Sequence, residues 1–361
     1  MSIQAPPRPA APPLSNSNSN SLTANQLPLW APKATVAGAI VLVAGLHFVI
    51  GMGLVGAVLI GWLAAIVALP LWSLLVEGSR KATDRLAGVL IASAFALALI
   101  PLISIVWKVL GEGASALSAE FFTFSMRNVL GDGGGIYHAL VGTLLITFGA
   151  SVISIPIGLF TSIYLVEYGQ DNRLARWITF LVDVMTGIPS IVAGLFAYAL
   201  FAVFFGPGVR MGLGGSVALS VLMIPVVVRS CEEMIKLVPN ELREASYALG
   251  VPKWRTILKI VLPTALAGIV TGVTLAIARV IGETAPLLLI AGSTASVNFN
   301  MFGGRMQTLP VFAFSQQSSP GAFPDAALER AWGAALVLML IVMVLNLIAR
   351  IISFLFSPKG E

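Results

Sequence analysis

The chain has 361 residues, of which 57% are hydrophobic and 10% are charged, with a formal net charge of +5. A soluble domain carries about 25% charged residues, so this composition excludes an ordinary soluble protein and indicates several membrane spans. The positive charge is dispersed and accompanies no aromatic platform, which excludes nucleic acid as a partner, and the single cysteine, Cys231, excludes an internal disulfide.

The N-terminal segment, residues 1–33, is rich in Pro, Ala, Asn and Ser and contains the repeat SNSNSNS. This composition predicts a disordered tail. Eight apolar segments follow, each long enough to cross a bilayer, which takes about 20 residues. They are 34–52, 53–77, 86–110, 138–166, 177–206, 212–230, 264–290 and 331–356. Only Gly51–Gly53 separates the first two, so these could instead form one span and a re-entrant piece.

Lysine and arginine in the short loops predict the orientation, because cytoplasmic loops carry an excess of both. One set of alternate loops holds most of them, and the opposite set holds Arg127 and Arg305 with few companions. We therefore expect both termini in the cytoplasm and an even number of spans. The residues of the basic set are Arg80, Lys81, Arg85, Arg173, Arg176, Arg229, Lys236, Arg243, Lys253, Arg255, Lys259, Arg350 and Lys359.

Proline recurs inside six consecutive predicted spans, from the second to the seventh. Each proline removes a backbone donor and tends to kink its helix, which is either ordinary bundle geometry or a sign of a path-lining backbone. The stretch TGIPSIVAG, Thr186–Gly194, is the better candidate for an irregular path because it follows the intramembrane acid Asp183.

The longest basic loop, Val238–Pro263, predicts two short helices joined by a glycine turn. Asn240 is a good N-cap, and Gly250 is a typical C-terminal stop. Leu242, Ala245, Ser246 and Leu249 share one small, apolar face of the first helix, which has about nine residues. Such a helix is suited either to docking in a groove of another protein or to lying on the membrane surface.

Glu244-Ala245-Ser246, with Gly250 and Ile260-x-Leu262-Pro263 at the following positions, resembles the EAA loop of type I permease subunits of bacterial ABC importers. The resemblance implies an all-α, polytopic transmembrane helix bundle with a six-helix core and about two extra N-terminal helices. It implies that Glu244, Ala245, Ser246 and Gly250 dock on a separate ATPase. No G-x-x-x-x-G-K-[ST] phosphate loop occurs here, so we expect a transporter subunit rather than an enzyme.

The sequences RVIGETAPLLL (279–289) and GIPSIVAGLF (187–196) are similar to the PstA-type permeases of phosphate-specific importers. That resemblance implies a second homologous permease, two ATPase subunits, an extracytoplasmic phosphate-binding protein facing loops 111–137 and 291–330, phosphate as substrate and membrane lipid as surroundings. It implies no cofactor and no metal site. The expected divisions are a tail (1–33), extra spans (34–85), a first core helix and outer loop (86–137), the permease domain (138–350) and a C-terminal end (351–361).

Arg279 and Glu283 lie four residues apart within an apolar run, where each charge costs about 2.5–3.5 kcal/mol. On a continuous helix they share a face. They form either a neutralising structural pair or part of the translocation path, in which Arg279 lowers the barrier for an anion and Glu283 limits its retention. Asp183 is a weaker path candidate.

Two other functions remain open from sequence. The same architecture could carry another oxyanion, such as molybdate or sulfate, and a different binding protein would then supply it. An ion-coupled secondary carrier or a channel would need no ATPase, and the EAA-like spacing argues against that class.

Overall fold

The computed structural model describes residues 26–169 and 172–356, and all regular structure in these ranges is helical, which confirms the predicted fold class. The chain divides between Ile105 and Val106 into two compact units. The helices are α1 Ala31–Phe48, α2 Leu54–Val76, α3 Ser79–Ala116, α4 Ala119–Thr123, α5 Tyr137–Ile163, α6 Arg173–Thr186, α7 Ser190–Phe205, α8 Gly212–Lys236, α9 Asn240–Ala248, α10 Lys253–Thr256, α11 Leu262–Val280, α12 Ala285–Ile290, α13 Leu309–Ser318 and α14 Pro324–Phe356. Two π-helical turns, Tyr164–Tyr168 and Ile257–Val261, extend α5 and precede α11.

Seven helical stretches are long and apolar enough to cross a membrane, and α6 with α7 makes an eighth if that bent pair is one span. The chain is therefore a multi-pass membrane protein, as expected. Two predicted spans are not continuous helices. The segment 177–206 bends by 109° at Gly187–Pro189. The segment 264–290 stops at Val280 and resumes at Ala285, where Pro286 has no N–H to continue the helical hydrogen bonds.

The first unit contains α1 and α2, which are separate helices joined by a five-residue turn, and this favours two N-terminal spans over the re-entrant alternative. Residues 1–25 of the predicted tail lie outside the described part of the chain. The prediction of disorder is wrong for residues 26–33, because Leu27 is buried and α1 already begins at Ala31.

Glu77 anchors this N-terminal segment to the end of α2. Its carboxylate accepts hydrogen bonds from the Ser73 hydroxyl at 2.6 Å and the Leu27 amide at 2.9 Å, with Arg85 at 3.4 Å. These bonds, led by that of Ser73, lower the pKa of Glu77 to about 2. Glu77 therefore stays charged at neutral pH. Its hydrogen bonds hold the N-terminal segment against the end of α2, a contact that composition alone did not reveal.

The second unit is organised around α5, α8 and α11. Ile146, Leu219, Met223 and Val227 are fully buried between these helices. Buried polar groups also join them, since the Ser216 hydroxyl donates to the Ile146 carbonyl at 3.0 Å. Small residues let the helix backbones approach closely, as in other membrane bundles.

Gly142 on α5 is one point of closest approach. A methyl group at this position would collide with the carbonyl oxygen of Gln307, which is backbone and cannot rotate away. We expect Gly142→Ala to lower the free energy of unfolding by about 1–3 kcal/mol. Thermal unfolding of the purified protein in detergent would measure this. Gly45→Ala is the matched control, because a methyl group at Gly45 meets nothing within 4 Å, and equal loss in both variants would contradict the prediction.

Candidate functional site

The predicted two-helix loop is present. Its first helix, α9, has nine residues, and Gly250 ends it with φ of +75°, a left-handed conformation that glycine adopts without strain. The Gly250 amide donates to the Tyr247 carbonyl at 2.9 Å, and the Val251 amide donates to the Ser246 carbonyl at 3.2 Å. The helix begins at Asn240 itself, one residue earlier than an Asn240 cap would place it. The turn at Gly250 therefore sets the angle between α9 and the segment that follows it in the loop.

Arg243 fixes α9 to the rest of the bundle, a role that sequence analysis missed. Its guanidinium donates to the carbonyls of Val238 at 2.6 Å and Ile235 at 3.0 Å, at the end of α8. It also pairs at 3.0 Å with Glu167, in the π-helical turn that extends α5. Both side chains are nearly buried, with 12% and 5% exposure. The only sequence signal was a charged residue beside the apolar face of α9.

The four residues predicted to dock on an ATPase have different surroundings. Glu244, Ala245 and Gly250 are exposed on the surface of the loop. Ser246 is buried, and its hydroxyl forms a 2.7 Å hydrogen bond with that of Thr256 on α10. Ser246 therefore joins the two helices of the loop, whereas the other three remain accessible to a partner.

Several exposed side chains make the outer surface of this loop apolar. Leu249 is 84% exposed, and Trp254 and Leu258 are both more than half exposed. Tyr247 also lies here, and partial desolvation, followed by the nearby Glu167 charge, raises the pKa of its hydroxyl. A clustered, exposed apolar surface on the loop indicates contact with another protein or with lipid.

Asp183 forms an ion pair with Arg229 of α8. Arg229 also pairs with Glu232 at 2.9 Å, and Glu232 pairs with Lys236 at 2.7 Å. The prediction assigned Arg229 to the loop between the sixth and seventh spans, but α8 continues to Lys236 and places it on the helix. Asp183 therefore belongs to a charged network that ties α6 to the last two turns of α8.

Arg279 lies level with the middle of α8. Gly268 of α11 packs against Met234 of α8, and Gly272 packs against Ser230, so the two helices run antiparallel. If the same register continues along the helix axis, Arg279 lies at the height of Met223, about 10 Å from Gly272. Arg279 is exposed on the surface of this chain. The exposed Leu275, one turn earlier, shows that this face of α11 points away from the core.

The prediction that Arg279 and Glu283 share a helix face is wrong, because α11 ends at Val280 and Glu283 lies in the turn before α12. Within residues 26–169 and 172–356, no ion pair joins the two side chains. The structure therefore does not bring Arg279, Glu283 and Asp183 together in one cluster.

The two helices that follow the breaks, α7 and α12, contact one another. Gly194 of α7 packs on Pro286 of α12, so closely that a Cβ atom at Gly194 would lie 2.5 Å from the proline Cα. This contact places the GIPSIVAG stretch beside the turn that carries Glu283. Irregular backbone is tolerated at membrane depth only where protein or a water-lined cavity surrounds it.

At the opposite end of the bundle from α9, Arg330 of α14 holds the loop that precedes α5. Its guanidinium donates to the carbonyls of Gly131 at 2.8 Å and Gly133 at 3.0 Å, and to Gln316 at 3.2 Å. Arg330 is only 9% exposed. This loop is therefore a fixed surface rather than a loose connection.

The model of one protein family, described as "Binding-protein-dependent transport system inner membrane component", matches residues 154–360, more than half of the chain. The chain belongs to this family. The match includes α9, the break before α12 and the charged residues discussed above, so the resemblance to ABC importer permeases is confirmed.

Two curated relatives show how far the similarity extends. This permease is 46% identical over 283 residues to "Phosphate transport system permease protein PstA 1" of Mycobacterium tuberculosis (strain ATCC 25618 / H37Rv), covering 78% of this chain and 90% of the relative. It is 40% identical to "Phosphate transport system permease protein PstA" of Pasteurella multocida (strain Pm70), covering 75% and 95%.

A solved structure of a bacterial alginate ABC transporter, in complex with an alginate pentasaccharide-bound periplasmic protein, also matches the permease. The TM-score is 0.53 at 13% identity, over 77% of this chain and 97% of the other. At that identity the match shows the shared fold alone.

The anchoring role of Arg243 can be tested directly. We expect Arg243→Ala to destabilise α9 locally by about 2 kcal/mol, because a nearly buried ion pair and two carbonyl bonds are lost. Hydrogen exchange of residues 238–256 would then become faster, by about 30-fold. Arg255→Ala is the matched control, since Arg255 is exposed and stacks on Trp254. Unchanged exchange in Arg243→Ala would refute the anchor.

Proposed function

We propose that this chain is a permease subunit of an ATP-driven importer of inorganic phosphate, and that Arg279 lies on the translocation path. The proposal rests on the exposed position of Arg279. This residue is exposed in the last turn of the apolar helix α11, level with the middle of α8, where lipid contact would cost several kcal/mol. A water-filled path or a second subunit against this face removes that cost.

Phosphate is the substrate class that this arrangement favours. A guanidinium binds a tetrahedral oxyanion through paired charge-assisted hydrogen bonds. The relatives named as phosphate transport system permeases, at 40–46% identity over most of the chain, support phosphate over another oxyanion. The partly buried Glu283, near Arg279 along the chain, would prevent the anion from binding too tightly to leave.

An exposed Arg279 face also implies that the path is completed by another subunit. We infer that a second homologous permease covers this face and that two ATPase subunits bind on the side of α9. The exposed Glu244, Ala245 and Leu249 supply the contact surface. ATP hydrolysis then resides on the partner, and this chain transmits the movement.

The same scheme assigns the two sides of the membrane. With α9 in the cytoplasm, both termini are cytoplasmic, and the loops 111–137 and 291–330 face the binding protein. The fixed loop held by Arg330 supplies a preformed surface for that contact. Residues 34–85 form two spans in addition to a six-helix permease core.

The path role of Arg279 predicts that Arg279→Gln lowers phosphate uptake at least about tenfold, the effect of losing one charge-assisted bond. The measurement is the initial rate of radiolabelled phosphate uptake by membrane vesicles containing the whole transporter. Subunit co-purification should stay normal. Leu275→Ala, one turn away on the same exposed face, is the control and should transport normally. Wild-type uptake in Arg279→Gln would reject the path role.

The docking role of α9 predicts that Leu249→Asp weakens retention of the ATPase, because a charge replaces an 84% exposed apolar side chain at the contact. Co-purification from detergent-solubilised membranes should yield about tenfold less ATPase per permease. Leu130→Asp is the control, since Leu130 is 94% exposed in the opposite loop. Equal ATPase yields in the two variants would exclude α9 as the docking helix.

A further inference from the structure

Two arginines that sequence analysis did not group, Arg210 and Arg305, flank Gly292 at the end of the bundle opposite α9. The Cδ of Arg210 lies 2.9 Å, and the Cγ of Arg305 3.4 Å, from the position that a Cβ on Gly292 would occupy. Those two distances limit the separation of the two side-chain stems to at most about 6.3 Å. The pair comes from loops more than 90 residues apart in the sequence.

The backbone holds both residues in place. Met211, which follows Arg210, donates its amide to the Ile290 carbonyl at 3.0 Å. Met306, which follows Arg305, donates its amide to the next carbonyl, that of Ala291, also at 3.0 Å. Two adjacent carbonyls at the end of α12 thus position the two arginines side by side.

Gly292 makes this arrangement possible. Its φ is +79°, and a side chain there would occupy the space between the two arginine stems. The Arg305 carbonyl also accepts a 3.0 Å bond from the Asn298 side chain. The pair is therefore part of a built structure and not a chance approach of two long surface side chains.

Neither arginine is neutralised by the chain. Both are exposed, and neither forms an ion pair with an acid among the residues that the structure describes. Two like charges held together repel one another, and an anion bound between them removes that repulsion. Two guanidinium groups on stems this close together can present several N–H donors to one tetrahedral oxyanion.

We propose that Arg210 and Arg305 form an outer oxyanion site, which receives phosphate before it reaches Arg279. This inference rests on the proposed function, because it takes the α9 side as cytoplasmic and phosphate as the substrate. Arg210 lies two residues before the start of α8, and Arg279 lies level with the middle of that helix. The outer site and Arg279 would then be successive positions for one anion along the bundle.

The first test measures radiolabelled phosphate uptake by vesicles that contain the complete transporter and its binding protein. We expect Arg210→Gln and Arg305→Gln each to lower the initial rate at subsaturating phosphate by about tenfold. The loss of uptake rate in the double variant should be much smaller than the product of the two single losses, since both residues hold one ion. Arg127→Gln is the control, because Arg127 is exposed in another outer loop. Uptake within about twofold of wild type in both single variants would overturn the site.

The second test separates an anion site from a docking patch for an acidic protein. Capture of the binding protein by the solubilised complex should be the same in wild type, Arg210→Gln and Arg305→Gln. If capture falls in step with uptake, the pair binds the protein, and the oxyanion site is wrong.

The third test does not depend on transport. Inorganic phosphate should slow the modification of Arg210 and Arg305 by phenylglyoxal about fivefold when four of five sites are occupied, with Arg127 unaffected. Equal modification rates with and without phosphate would overturn the site. If the wild-type complex failed to transport phosphate yet phosphate still protected the pair, the proposed function would fail and the oxyanion site would stand.

Discussion

The unfavourable energy of a guanidinium in an apolar environment is the constraint on which the rest of this structure depends. Arg279 lies in the last turn of α11, level with the middle of α8, and faces away from the core of its own chain. A protein that only needed to fold in lipid would place an apolar residue there. The exposed arginine is therefore compatible with water or a second protein at this face, and not with lipid alone.

Around Arg279, the second unit combines one tightly packed pair of helices with two interrupted spans. The α5–α8 contact is dense and lined by small residues, with Ile146 and Met223 fully buried. By contrast, α6–α7 and α11–α12 are broken, and the helices that follow the two breaks touch where Gly194 packs on Pro286. A change in helix angle at either break would therefore be felt at this contact, next to the turn that carries Glu283.

Sequence predicted much of this architecture because its signals are local. Apolar length gave the spans, and the spacing from Asn240 to Gly250 gave a nine-residue helix with a glycine stop. The errors arose where distant residues decide the outcome. Arg279 and Glu283 looked like a helical pair, but the helix ends between them. Arg243 pairs with Glu167, 76 positions away, and Arg210 approaches Arg305 through loops that no local pattern connects.

The fixation of α9 by a single guanidinium has a mechanical consequence. Arg243 bonds to carbonyls at the end of α8 and to the acid at the end of α5, so α9 is joined to the two helices that pack most tightly with each other. A displacement of α9 would therefore pull directly on the ends of α5 and α8, because Arg243 bonds to both without an intervening flexible segment.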